Sequence, residues 1–310
     1  MAMRTIERLF LFVALLTGLV MVVPGAVLAD SPKTEKKVKT KKKGDAEKRH
    51  YIQVRRDGDD NPLSLDTAIV RMVPKDRSRK GQVVDLIGAV HVGESEYYDR
   101  LNKLFKSYDV LLFELVTRDK ESVPKPEERR SGGGAIMALQ GGMKSMLELE
   151  HQLDGIDYTA DNFVHADMTP DEFAQSMKDR GESFQKMFFR MMGYSIVQQS
   201  KNPAKSSDLA MLSALFAKDR ALRLKRLLAE QFEDLDGAMN AFGGPDGSTI
   251  ITERNKKALA VLKEEMAKDQ KKIAIFYGAG HLEDFEDRLI EDFGLRRKSI
   301  RWESAWDLSE

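Results

Sequence analysis

The chain has no cysteine. That single absence removes disulfides, zinc-thiolate centres, a cysteine nucleophile and a lipidated anchor cysteine, so stability must come from core packing and any metal must be held by nitrogen and oxygen. Net charge is missing as well, since 50 basic residues balance 50 acidic ones. The balance hides a split: residues 1–29 carry +1 and residues 30–49 carry +5, which leaves residues 50–310 at −6. A mildly acidic globular part is a poor match for a polyanion, so no nucleic-acid partner is expected. Several common signatures are absent too. There is no His-Glu-x-x-His helix, no Gly-x-Ser-x-Gly elbow and no dinucleotide fingerprint. The triple glycine at 132–134 lacks the Gly-Lys-Ser/Thr that would make it a phosphate cradle, and it reads as a hinge.

What is present divides the chain in three. Arg4 and Arg8 precede the uncharged apolar run Leu9–Val23, and Val27-Leu28-Ala29 fits cleavage before Asp30. Residues 1–29 are therefore expected to be a signal peptide of an exported protein, periplasmic or secreted, membrane-tethered if the segment is retained. Residues 30–49 have almost no apolar content and read as a disordered basic linker. Its residues 33–49 would contact an anionic membrane surface or cell wall, at roughly 1 kcal/mol per basic side chain. The folded domain is expected over residues 50–310.

Within that domain the organising stretch is Val83–Leu115. Two continuous apolar runs flank an amphipathic segment in which Tyr97, Tyr98, Leu101, Leu104 and Phe105 form one stripe. That is the pattern of a β-α-β unit whose strands are buried on both faces. The first run is followed by Gly88-x-x-His91 and the second ends on Glu114. Ile273–Tyr277 repeats the device with Gly278-x-x-His281 and an acidic helix. The fold class expected is α/β, a mixed sheet with parallel β-α-β units at both ends of the domain and a large helical insertion over about 135–262. Ala68–Val73 is predicted as a strand pairing with the next, and Leu295–Trp306 as a closing strand. Thr169, Pro170 and Glu172 predict a capping box, and Ser248, Thr249 or Thr252 the start of the last long helix. The methionine-rich insertion reads as packing, with a lid as the functional alternative.

Polar residues that follow parallel strands collect at the edge where α/β proteins bind ligands. Gly88-x-x-His91, Glu114, Arg254 and Gly278-x-x-His281, in this order and strand context, resemble the TraB/PrgY/GumN family, which belongs with the Tiki proteins in one superfamily. The likeness covers most of residues 83–300. It implies an α/β fold and a site built from His91, His281, Glu114 and Arg254, read in some members as a metal-dependent hydrolase acting on peptides.

The residues themselves allow that chemistry. Two imidazoles and a carboxylate suit a divalent ion such as manganese, cobalt, zinc or iron, with Glu114 as ligand or base and Arg254 stabilising an oxyanion. A metal-free version has His91 and Glu114 activate water, with His281 as the acid, as in the erythromycin esterases that look related at superfamily level. A third reading has no turnover: paired histidines holding haem or a metal, or a peptide signal captured on the Met-rich surface. Substrates are expected to be peptides or small molecules. Gly88 and Gly278 are counted with the site for their turns. Asp161, His165 and Asp167 form a second group, either site residues or ties between a strand and the Thr169 cap, with His165 and Asp167 on one side if the backbone there is extended.

Overall fold

The computed structural model describes residues 49–76, 79, 81–123, 147–183, 185–187, 190, 213–214, 216–232, 247–268 and 270–309. The expected signal peptide, nearly all of the basic linker, the triple glycine and most of the methionines of the insertion lie outside these residues.

The fold is α/β with a mixed sheet. Strands β1 (Ile52–Arg56), β2 (Pro62–Pro74), β3 (Val83–Ala89), β5 (Val110–Phe113), β7 (Phe163–His165), β8 (Lys272–Gly278) and β9 (Leu295–Asp307) form one seven-stranded sheet, while β4 (Val92–Gly93) and β6 (Glu150–His151) pair as a small separate ribbon. The order across the parallel half is β3, β8, β5, β7. Long β2 turns the sheet antiparallel. It pairs with β1 and β3 along one edge and with β9 along the other. The strand predicted over Ala68–Val73 runs farther in both directions because neighbours on both edges extend its ladder.

Both expected β-α-β units are present, each with a difference in arrangement. β3, α1 (Ser95–Phe105) and β5 follow each other in the chain, yet β8 from the far end inserts between β3 and β5. β8, α5 (Leu282–Glu291) and β9 make the second unit, and β9 joins through β2 and not beside β8.

Strand side chains alternate between two cores, as the continuous apolar runs require. Leu111, Phe113, Ala274 and Phe276 face α1 and α3 (Arg220–Phe232), whereas Val110, Leu112, Ile273, Ile275 and Tyr277 face α4 (Arg254–Ala267) and α5. On α1 the predicted stripe is in place, with Tyr97, Tyr98, Leu101 and Phe105 buried and Leu104 partly so. Tyr98 donates to the Val90 carbonyl at 3.1 Å and Trp306 Nε1 to the Val92 carbonyl at 2.7 Å, so aromatic groups from both ends of the domain hold the backbone on either side of His91. The described parts of the insertion are mainly helical. Among them, α2 (Pro170–Asp179) opens with the capping box read from the sequence, Thr169 and Glu172 bonding reciprocally.

A second polar clasp fixes where the domain starts. Buried Glu286 on α5 receives Arg297 from β9, Arg49, and the Tyr51 hydroxyl at 2.8 Å.

Gly155 lies against the Tyr98 ring so closely that an added Cβ would stand 2.4 Å from Cδ2. Gly155→Ala is expected to lower stability by ~1–3 kcal/mol through overpacking. Gly58→Ala, with nothing within 4 Å, should stay within about 0.5 kcal/mol of the parent. Urea denaturation of the three proteins checks the pair.

Candidate active site

Four parallel strands deliver a polar residue to the same edge. His91 stands two residues past β3, Glu114 directly after β5, Asp167 two residues past β7, and His281 just past β8 at the end of a single 3-10 turn, Ala279–His281. α4 supplies Arg254 from above that edge.

Arg254 begins α4 directly after a π-helical turn, Thr249–Glu253, whose first residue follows the N-cap Ser248. A wide turn of this type places the next side chain differently from an ordinary α-turn. Neighbours hold it in that form. Arg180 donates to the Gly247 carbonyl at 2.8 Å and to Glu253 at 3.1 Å, and Glu182 accepts from the Thr249 N–H at 3.0 Å. Gly247 has φ of +74°, and a Cβ there would meet Thr252 Oγ1 at 2.1 Å, so both the conformation and the close approach require glycine.

The partner anticipated for a cation at a helix amino terminus is another part of the same chain. Arg254, 3% exposed, forks onto both oxygens of Asp167 and places Nη2 2.8 Å from Glu114 Oε1. Among the described residues its Nη1 has no hydrogen-bond partner. The second Glu114 oxygen, Oε2, accepts from the Gly278 N–H at 2.6 Å. Gly278 has an ordinary negative φ of −50°. It makes no left-handed turn, and a Cβ there would sit in ordinary packing contact, 3.4 Å from both Glu114 Oε2 and His91 Nε2. Gly88 is likewise a packing residue, its missing Cβ making room for the Ala68 carbonyl and Leu282, each at 3.2 Å.

The structure thus brings together His91, Glu114, Arg254 and His281, which the sequence singled out, and adds Asp167 from the second group. It does not bring in the other two. Asp161 is exposed in a turn before β7. His165 gives Nε2 to the Leu115 carbonyl at 2.8 Å and packs its ring 5.6 Å from Phe113. The shared orientation of His165 and Asp167 fails because β7 ends at His165 and the chain bends at Asp167, whose Oδ1 accepts from the Met168 N–H at 2.7 Å.

Two amide side chains complete the cluster. Gln152 accepts at Oε1, 3.1 Å from His91 Nδ1, and Asn255 at Oδ1, 2.6 Å from His281 Nδ1. Asn255 is adjacent to Arg254 in sequence, and that adjacency was its only sequence signal. Gln152 had none, because its position depends on the β4–β6 ribbon.

The electrostatics follow from burial and pairing. Burial alone would raise the Glu114 carboxyl, but Arg254, the two imidazoles and the Gly278 N–H outweigh it and hold the group at about 2. Burial lowers His281 to about 4, with Glu114 opposing and Arg254 assisting. The 3.5 Å approach of His281 Nε2 to Glu114 Oε1 is therefore not an ion pair at neutral pH. Arg254 supplies the positive charge. Burial also tends to depress Arg254, but Asp167 and Glu114 more than compensate, so it stays charged. Tyr277, whose hydroxyl donates to the Ala166 carbonyl at 2.6 Å, is pushed well above its ordinary value by burial first and by Asp167 second.

These values revise two roles predicted from sequence. A carboxylate near 2 that already serves Arg254 and Gly278 is a weak base. His281, neutral at pH 7, carries no spare proton and is an acceptor, not the starting acid.

The donor types suit a divalent ion, but their placement does not. Among the described residues no three His, Asp or Glu side chains converge as an ion would require, and both Glu114 oxygens are already engaged, one of them 2.8 Å from a guanidinium.

No family model matches this chain, and neither the curated proteins nor the solved structures provide a match.

Two predictions follow from the charge arrangement. His281 goes from 6.5 in an unfolded chain to about 4 in the fold, so the unfolded state binds the extra proton between those values. Its contribution is complete above about pH 6.5 and lost as pH falls toward 4. The slope approaches about 1.4 kcal/mol per pH unit for one proton. Urea titrations from pH 7 to 4 should show this slope, and His281→Gln should flatten it. Arg254→Met leaves two buried carboxylates facing one another and is expected to cost ~3–5 kcal/mol in the same assay at pH 7.

Proposed function

We propose that this strand edge is the hydrolytic centre of an exported protein of the TraB/PrgY/GumN kind, cleaving an amide or ester bond in a peptide or small molecule. The observation carrying this reading is the juxtaposition of acceptor imidazoles with a buried guanidinium that keeps one nitrogen uncommitted. Water addition to a carbonyl needs both: a group to take the proton and a cation where negative charge develops.

On this reading the roles divide as follows. His91 is the partly exposed member of the cluster, and its Nε2 and Glu114 Oε2 both lie close to Gly278. It takes a proton from water as the water oxygen adds to the carbonyl carbon. Glu114 steadies the imidazolium that forms. Arg254 Nη1 donates to the oxyanion, its other nitrogens being fixed by Asp167 and Glu114. His281 accepts a hydrogen bond from the water or the substrate. When the tetrahedral adduct collapses, the His91 proton goes to the departing nitrogen or oxygen, giving an acid and an amine or alcohol. No step passes through a metal. The divalent ion expected from the family resemblance is a separate reading, favoured by the imidazole donors, and would require Glu114 to give up one of its present partners.

The test is a panel of blocked peptides, amides and esters incubated with protein stripped of metal and with protein supplied with manganese, cobalt or zinc. Cleavage by the stripped protein, reduced ~10²- to 10⁴-fold in His91→Ala, is the expected result. Turnover only with added ion would replace the metal-free route with the metal-dependent one. Absence of turnover under every condition, or unchanged turnover in His91→Ala, would end the hydrolytic reading, and a haem Soret band on the purified protein would favour the binding alternative.

A further inference from the structure

Each site imidazole is held by one amide residue that grips it twice. Asn255, fully buried, gives Nδ2 to the backbone carbonyl of His281 at 3.1 Å while its Oδ1 faces the His281 ring nitrogen Nδ1 at 2.6 Å. Gln152 gives its backbone N–H to the carbonyl of His91 at 2.9 Å while its Oε1 faces His91 Nδ1 at 3.1 Å. The orientation of the Asn255 amide is fixed chemically. Its Nδ2 also donates to Asp284 Oδ2 at 2.9 Å, and reversing the amide would point an oxygen at a carbonyl and a carboxylate together. Gln152 has no such lock: its Nε2 donates to the Tyr158 hydroxyl at 2.9 Å, a group that could equally donate to an amide oxygen, so the His91 spectrum is the test of this clasp.

An amide oxygen can only accept, so the ring nitrogen facing it must carry hydrogen. We infer that Asn255 and Gln152 are tautomer-setting positioning residues, which keep the proton of each neutral imidazole on Nδ1 and so present both Nε2 lone pairs to the Glu114 edge. The opposite tautomer would gain an N–H contact from His281 Nε2 to Glu114 Oε1 at 3.5 Å, but would set the Nδ1 lone pair against the Asn255 oxygen at 2.6 Å, the closer and therefore deciding contact. It would also deprive His91 of the lone pair that the proposed water activation uses. The two clasps come from unrelated parts of the chain: Gln152 from the β4–β6 ribbon and Asn255 from the first turn of α4.

The tautomers can be read without reference to turnover, whereas their catalytic consequence rests on the hydrolytic reading above. Long-range ¹H–¹⁵N correlation spectra of histidine-labelled protein distinguish protonated from bare ring nitrogens. His91→Gln and His281→Gln assign the two rings among the five histidines. At pH 7.5, chosen above the ordinary histidine range of about 6.5, both rings should show hydrogen on Nδ1 and none on Nε2. Hydrogen on Nε2 of either ring overturns the inference. Asn255→Leu should release the His281 preference and leave His91 unchanged, and Gln152→Leu should do the reverse. A ring that keeps its tautomer after losing its amide overturns the assignment for that residue.

Should Asn255→Leu fail to fold, the parent spectrum still decides, and Gln152→Leu tests the other clasp by itself. With a substrate in hand, Gln152→Leu is expected to lower kcat ~10- to 100-fold, the usual scale for a residue orienting an active histidine, with KM little changed. Unaltered kcat in a variant whose His91 tautomer has moved would overturn the catalytic part. If the parent spectra are as expected but no substrate is cleaved, the clasps stand and the hydrolytic reading alone falls.

Discussion

The site depends on one buried guanidinium. Arg254 lies between Asp167 and Glu114 with almost no access to water, and removing three ionised groups from solvent costs several kcal/mol each unless every one is paired and hydrogen-bonded. Here the pairing is nearly complete. Asp167 is forked by Arg254 and receives the Met168 N–H, and Glu114 divides its oxygens between Arg254 and Gly278. The arrangement holds only if β5, β7, β8 and the π-turn before α4 are in register together. The same condition places the two imidazoles, since His281 follows β8 and His91 follows the neighbouring β3.

That pairing also explains how a neutral histidine, His281, exists beside a carboxylate. Glu114 alone would draw a proton onto His281, but its charge is largely taken up by Arg254, and burial then decides in favour of the neutral ring. Taken together, the buried groups carry two negative charges and one positive, and the imidazoles add none while neutral. A cluster so arranged offers lone pairs to an incoming hydrogen-bond donor and retains a single cationic nitrogen for an anion.

Much of this was legible in the sequence, for reasons of period and punctuation. Continuous apolar runs ending at Gly88, Glu114 and Tyr277 identified strands buried on both faces, and the residues just past them necessarily fell at one edge. The Thr169–Glu172 box and Ser248 were readable because capping is local chemistry. The order of the strands was not readable, since nothing local marks the insertion of β8 between β3 and β5. Nor was the Gly278 N–H as a donor to Glu114, because a backbone group leaves no mark in the sequence. Gln152 escaped notice for a similar reason: its contact with His91 is created by a two-residue ribbon. His165 misled in the other direction, as a polar residue after an apolar pair that satisfies its ring on the Leu115 carbonyl.

The sheet ties together stretches that leave the ribosome at very different times. β2 is completed by β9, β3 by β8, and the Arg49–Tyr51 clasp by Glu286 and Arg297. Contacts of such long sequence separation form slowly, and the β2–β9 ladder cannot form until residues 295–307 have been synthesised, on the order of ten seconds or more after β2 at ordinary translation rates. Nascent chain up to that moment has β1 and β3 for one edge of β2 and lacks β9 for the other. It therefore stays open to whatever machinery meets it first, such as a chaperone that shields the unpaired edge of β2.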